Sequence, residues 1–434
     1  MNWSVCALGW IALSSGLGVA FSACSSSSPS ALAAADAGGS ATFDGGPGVS
    51  ALANISPTYA SQFQAGGLVF EQQMQAADGL GPLYTKQACS DCHTDAARGP
   101  GAATKMAAVE ADGLTPLADQ SLLPFGNTQH PLVVTEIPGA RTPILSPFDG
   151  GKDLGDAGMV TIRVTNLVGP PLFGRGYMDA VADSEIERMA SQQATRSDGV
   201  HGRVNRLVFV SQPNPDSTFD SHRTGDMVIG RFGLKARIAT LDEFSADALQ
   251  GDMGLTSPMR QTEFANPDGI TDDLKTGVDV SADEMNARAM YVRLLAIPVR
   301  SQAAVNGQAW FESCNCQVCH SETLHTRADY PIPQLADIDA PVFTDMLLHD
   351  MGDTLSDSIA NGNEGLAGPR DWRTAPLIGV RFSKSFLHDG RATTVAEAIA
   401  LHDGAGSEAA TATQCYNTLA PEFRQQIIDF VSSL

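Results

Sequence analysis

Apolar positions in this chain fall into patches, separated by long stretches with no period. Val5 to Phe21 is an apolar run of mostly small residues, too short and too interrupted by Gly and Ser to span a bilayer. Residues 25–58 are dominated by Ser, Ala, Gly and Pro and read as a flexible tether. From Tyr59 onward Phe63, Val69, Phe70 and Met74 mark a helix that Asp78-Gly79-Leu80-Gly81-Pro82 terminates. Residues 94–160, rich in Gly and Pro, predict irregular loop. A short helix is expected at 184–191 and a short strand at Leu207 to Val210. Ser281-x-x-Glu284 is a capping box for a helix that runs to about Leu295, and Ala296-Ile297-Pro298 closes it. Pro421 opens a last helix with Phe423, Ile427, Phe430, Val431 and Leu434 on one face. The pattern predicts a mainly α fold with long irregular loops, divided near residue 300 into domains at 59–300 and 301–434.

One segment occurs twice. Lys235-Ala236 precedes the capping box Thr240-x-x-Glu243, and Arg391-Ala392 precedes Thr394-x-x-Glu397. A basic-Ala pair followed by a capped helix in each half suggests two related units, each laying one helix over its site.

With 43% apolar and 18% charged residues the composition is that of an ordinary globular protein, so function must come from motifs. The net charge of −22 argues against nucleic acid and anionic membrane faces as partners and suits a basic redox protein. Residues 1–24 read as an export signal, and Ala23-Cys24 resembles a bacterial lipoprotein cleavage site. The expected location is the periplasm, or the outer membrane through a lipid on Cys24.

Cys89-Ser90-Asp91-Cys92-His93 and Cys316-Gln317-Val318-Cys319-His320 each match the attachment signature of c-type haem. In such a site both thiols bond the porphyrin and the adjacent imidazole binds its iron. Zinc is the competing reading. Zinc pairs usually sit roughly 15–20 residues apart, and they do not require a His after each second cysteine. Two covalently bound haems are therefore expected, held by Cys89, Cys92, Cys316 and Cys319, with His93 and His320 as iron ligands. Of the eight cysteines, Cys6 leaves with the signal, Cys24 would carry lipid and four hold haem. Cys314 and Cys415 remain, and in an oxidising envelope they predict a disulfide, with a reactive dithiol as the alternative.

Closed haems move electrons, whereas open ones bind and activate small molecules. His402 lies eight residues after the cap Thr394, where the first unit has Ala248, eight after Thr240. Four residues beyond Ala248 stand Asp252 and Met253. The expectation is a second haem closed by His402 and a first haem left open beside Asp252. A helix C-terminal histidine, favoured by the dipole just before Gly404, is the other reading of His402.

The chain resembles the di-haem oxidoreductase family, a peroxidase-type group also labelled thiol oxidoreductases and related to bacterial di-haem cytochrome c peroxidases. The resemblance spans about residues 63–434. It rests on Gly79-Leu80-Gly81-Pro82-Leu83, Gly230-Arg231-Phe232-Gly233-Leu234-Lys235-Ala236, Asp252-Met253-Gly254-Leu255-Thr256-Ser257-Pro258, Leu347-Leu348-His349-Asp350-Met351-Gly352, Trp372-Arg373-Thr374-Ala375-Pro376-Leu377 and Leu387-His388-Asp389-Gly390-Arg391. It implies two cytochrome-c-like haem domains. It also implies a sixth ligand fourteen residues after His388, which is His402, and it matches a Glu-Met pair on the open side of the first haem to Asp252-Met253. Phe244 departs from the family's Gln. Phe232 and Leu234 stand where bridging tryptophans occur, leaving Trp310, Trp372 and Tyr177 as substitutes. His130 is a candidate loop ligand of the first haem. Asn266, Asp268, Asp272 and Asp273 are candidates for a calcium ion, with an acidic turn as the alternative. His349 and His388 read as hydrogen-bonding groups behind the haems, and His201, His222 and His325 as surface residues.

The implied function is a di-haem oxidoreductase of the cell envelope. Hydrogen peroxide would react at the first haem with Asp252 moving protons, and a redox partner protein would supply electrons through the second. The alternatives are a non-enzymatic di-haem electron carrier and an oxidase of an organic or protein substrate.

Overall fold

Phe63 and Phe70 line one side of α1 (Pro57–Glu71), whose N-terminus is capped by the Ser56 hydroxyl accepting from Tyr59 N. The glycines within this helix have a packing reason. A Cβ at Gly66 would fall 2.4 Å from the carbonyl oxygen of Ala287, so only glycine lets α1 approach the helix spanning 282–294. Phe63 and Phe70 then meet Tyr291 of that helix at 5.2 and 5.0 Å between ring centres.

The computed structural model describes residues 48–99, 101–110, 117, 119–120, 123–137, 139, 152–153, 159–214, 216–263, 270, 274–300, 305–357 and 364–434. The expected signal at 1–24 with Cys6 and Cys24, residues 25–47 of the tether expected at 25–58, and Asn266, Asp268, Asp272 and Asp273 lie outside the described residues.

After α1 come β1 (Leu83–Tyr84) and α2 (Cys89–Cys92), a single turn made by the first Cys-x-x-Cys. The stretch predicted as loop then forms an antiparallel sheet from β2 (Ala102–Val109), β3 (Pro124–Gln129), β5 (Lys152–Asp153) and β6 (Met159–Val168), in the order β3-β2-β6-β5. A further short strand, β4 (Leu132–Val133), pairs with β1. The fold is therefore mixed, 36% helix and 16% strand, rather than mainly α. The signal was weak because β2 reads Ala-Ala-Thr-Lys-Met-Ala-Ala-Val, poor in β-branched and aromatic residues. Its residues from Met106 to Val109 are buried on both faces, so no alternation shows.

Two helices follow, α3 (Arg175–Ala180) and α4 (Asp183–Gln193), then a hairpin of β7 (Arg206–Val208) and β8 (Met227–Ile229). Thr240 caps α5 (Leu241–Met253) and Ser281 forms the predicted capping box of α6 (Ala282–Leu294). Beyond 300 lie α7 (Val305–Ser313) and two strand pairs, β9 (Leu324–His325) with β10 (Asp339–Ala340) and β11 (Leu348–Asp350) with β12 (Asp371–Arg373). The chain ends in α8 (Val395–Ala400), α9 (Ala410–Thr418) and α10 (Pro421–Ser433). Cys314, just after α7, is bonded to Cys415 in α9.

Residues Ala41–Leu434 form one compact unit, and its largest core joins Phe63, Phe173, Leu294, Ile332, Leu347 and Ile378 from both sides of position 300. A smaller core of Phe311, Ile427, Phe430 and Val431 packs α7 on α10. Among the described residues no helix is long and apolar enough to cross a membrane.

Candidate functional site

The stripe that α5 turns inward has helical spacing. Leu241, Phe244, Ser245, Ala248, Leu249, Asp252 and Met253 follow one another at intervals of one, three or four, so they share a face. They form one wall of a cavity with about 910 Å³ of empty space including its open mouth. Cys89, Cys92 and His93 stand on the same lining, with Phe70, Leu172, Phe232 and Val292 supplying apolar surface. Sequence reasoning placed Asp252 opposite His93, and the fold brings both into this one cavity. It also leaves Ala248, which cannot ligate, on the α5 wall.

Burial keeps the first motif neutral. It pushes the Cys92 thiol up to about 12 and raises Cys89, the opposite of a reactive dithiol, whose pKa is depressed. It lowers His93 to about 4, against the pull of the Asp252 charge and the Pro170 carbonyl. A neutral imidazole is the form that binds metal. The Nδ1 of His93 makes no well-formed hydrogen bond to protein, although the Pro170 backbone lies close enough to favour its proton.

The sheet braces the end of α5. Lys105 of β2 places its Nζ 4.0 Å from an Asp252 carboxylate oxygen and 2.5 Å from the Thr128 hydroxyl. His130, buried, donates from Nε2 to the Gly251 carbonyl at 2.8 Å. It therefore sits beside Asp252 but not among the lining residues.

At the second motif the two predicted ligands are prepared alike. His320 donates from Nδ1 to the Phe343 carbonyl at 3.2 Å, and His402 from Nδ1 to the Ala398 carbonyl at 2.7 Å. A carbonyl can only accept, so each neutral ring keeps a bare lone pair on Nε2. The rings are close enough that His402 perturbs His320, whose pKa burial lowers to about 4. His402 is lowered by burial as well. One expectation needs correction: α8 stops at Ala400, and His402 follows in the turn after it rather than within the helix. The Gly-rich run from Gly404 to Gly406 ends the helix early.

His349, 2% exposed, lies between two carboxylates, with Nε2 2.9 Å from Asp345 and Nδ1 2.7 Å from Glu408. Burial works against its charge, but the Cys319 sulfur, 3.8 Å away, and Asp345 raise its pKa well above the ordinary range. His388 stacks on Trp372 at 3.9 Å, with Lys235 also 3.9 Å over that tryptophan ring. His201 and His325 are exposed, whereas His222 is half-buried on Asp220. Tyr177 packs against the core and Trp310 stacks on Phe423 at 4.2 Å.

Sequence reasoning missed Arg175 and Arg373. Both are 5% exposed and both line the first cavity. Neither belongs to a motif that marks a ligand, since nothing local says that a guanidinium will be buried without a carboxylate.

The donor sets fit haem at both motifs: paired neutral thiols and a neutral imidazole at each, an apolar cavity at the first, and a second imidazole at the other.

Residues 159–434 match a family model described as "di-haem oxidoreductase, putative peroxidase". That span includes α5, the second motif and His402, and begins after Cys89–His93. Among solved structures the chain is similar to hydrazine synthase of Kuenenia stuttgartiensis pressurised with xenon, with 13% identity over 88% of this chain and 89% of that one and a TM-score of 0.38. No curated protein matches.

Proposed function

Because the chain belongs to the di-haem oxidoreductase family, we propose that it is a peroxidase-type enzyme of the cell envelope that carries two covalently attached c-type haems. One observation carries this reading: Cys89, Cys92 and His93 share a cavity with Asp252, and Ala248, which cannot ligate, lies on the same lining. Cys89, Cys92 and His93 would hold one haem. Cys316, Cys319, His320 and His402 would hold the other. When bound, the haems supply the electrons that reduce the oxidant.

The chain's own residues do the remaining work. Ala248, a small side chain on the α5 wall, leaves room for a small oxidant such as hydrogen peroxide. Asp252 takes a proton from one peroxide oxygen and returns it to the other, a role worth ~10²–10⁴-fold in rate. Lys105 and the Gly251–His130 contact hold the end of α5 so that this carboxylate keeps its place. At the second site the Phe343 and Ala398 carbonyls orient both rings. The overall charge of −22 favours a basic protein as electron donor. Export and a lipid on Cys24 belong to the same reading, since c-type haems are fitted outside the cytoplasm.

Intact-mass measurement of protein made with haem-maturation machinery should show two haem additions, and fewer refutes the cofactor assignment. Asp252→Asn should leave both haem spectra nearly as in the parent while slowing reaction with peroxide at least about 100-fold. A parent-like rate would favour a di-haem electron carrier instead.

A further inference from the structure

Three guanidinium groups line the first cavity without an ion-paired carboxylate among the described residues. Arg288 donates to the Glu284 carbonyl and the Met74 sulfur, and Arg175 and Arg373 are the two close enough to repel each other. Arg175, the first residue of α3, donates from Nε to the Pro171 carbonyl at 2.8 Å and from Nη1 to the Met178 sulfur at 2.9 Å. Arg373, the last residue of β12, donates from Nε to the Gly233 carbonyl at 3.0 Å and from Nη1 to the Thr374 carbonyl at 2.8 Å. Each keeps Nη2 without a protein acceptor among the described residues.

Neither charge of this pair is fully compensated. Burial, then the positive charges of Arg373 and Arg98, bring Arg175 down to about 9, and burial brings Arg373 down to about 10 against the pull of the Asp345 charge. An arginine does not readily lose its proton, so a buried guanidinium without an anion is costly. Elsewhere in this molecule burial is matched by charge: Arg293, 1% exposed, sits between Asp179 and Asp242. At the cavity the carboxylate on the lining, Asp252, lies against Lys105 and forms no ion pair with either guanidinium. The free Nη2 of each guanidinium is a charged donor, and two such donors on one cavity match the two oxygens of a carboxylate.

We propose that Arg175 and Arg373 form a carboxylate clamp in the first cavity, and that its occupant is a propionate of the haem attached at Cys89 and Cys92. The proposal rests on the haem reading above. The same chemistry could come from a free organic carboxylate, and the experiment separates the two.

The test uses the full-length mature protein, with Arg175→Gln, Arg373→Gln and the corresponding Lys variants. It reads haem count by mass and the potential of each haem by spectroelectrochemistry. Two haems are expected throughout. The first-haem potential should fall in the Gln variants, because removing a nearby cation favours the more positive oxidised iron. It should fall less in the Lys variants, and the second-haem potential should stay put. Acetate added to the parent should leave both haems unchanged, the clamp being filled.

Parent-like potentials in Gln variants that hold two haems would overturn the clamp and leave the haem reading standing. A saturable acetate effect on the first haem, lost in the Gln variants, would overturn the propionate as occupant. A parent holding fewer than two haems would overturn both the clamp and the reading beneath it. Should the Gln variants fail to fold, infrared redox-difference spectra of parent protein with carbon-13-labelled propionates decide the matter. The clamp requires a propionate that stays ionised at about pH 4, where a free carboxyl is half protonated. Ordinary titration of every propionate there would overturn it.

Discussion

Removing the Cys314–Cys415 bond should destabilise the protein and loosen the second site in particular. The two cysteines are 101 residues apart, and the loop they close holds Cys316, Cys319, His320 and His402. Loop-closure entropy for about 100 residues sets a ceiling of roughly 4.7 kcal/mol at 25 °C, and measured native disulfides usually give about 2–4. Cys314 is 1% exposed, so alanine rather than serine is the clean replacement at both positions. With a guanidinium slope of roughly 3–6 kcal/mol/M, a loss of about 3 kcal/mol lowers the unfolding midpoint by about 0.5–1 M. The measurement is a guanidinium titration of the parent and of Cys314→Ala/Cys415→Ala, followed by far-ultraviolet circular dichroism and by the second-haem absorbance. The second-haem signal should move at least as far as the backbone signal, because the released loop carries both of its imidazoles. An unchanged midpoint, in protein whose bond peptide mapping has confirmed, would refute the reasoning. Mapping that finds both thiols free would remove the bond itself.

Three further outcomes follow from the geometry. His402→Ala should convert the low-spin second haem to high-spin and leave the first alone, read by electron paramagnetic resonance; an intact low-spin signal puts the ligand elsewhere. Ala248→His places an imidazole on the inward face of α5, so the first haem should become low-spin and stop reacting with peroxide, and a retained high-spin signal would show that Ala248 does not face the iron. Asp247 bears on acid stability. Burial would raise its pKa, but Arg237 and Arg260 outweigh that and hold it at about 2, below its unfolded value of 3.8. Its contribution is therefore present above about pH 4 and lost as pH falls towards 2. Asp247→Asn should cost about 2 kcal/mol at pH 7 and flatten the denaturation profile between pH 4 and 2, and a parent-like acid slope would count against it.

Much of the site was legible because its chemistry is local. Cys89–His93 and Cys316–His320 each occupy about one turn, so spacing alone brings two thiols and an imidazole together. Caps at Ser281, Thr240 and Thr394 are also local, since each side chain bonds a backbone N–H three residues on. The Cys314–Cys415 pair followed from counting, because the other cysteines had roles.

The tertiary structure decided what depends on partners far along the chain. An alanine-rich β2 becomes a strand because β6 pairs along its whole length, and eight register pairs outweigh a weak propensity. His402 comes near enough to perturb His320 across 82 positions of sequence, a separation no periodicity encodes. Arg175 and Arg373 come from elements almost 200 residues apart, and each looks locally like a surface cation. Packing against the shared core buries them and leaves their charge facing the cavity. A buried charge without a partner is a property of the assembled fold, and only the assembled fold could reveal it.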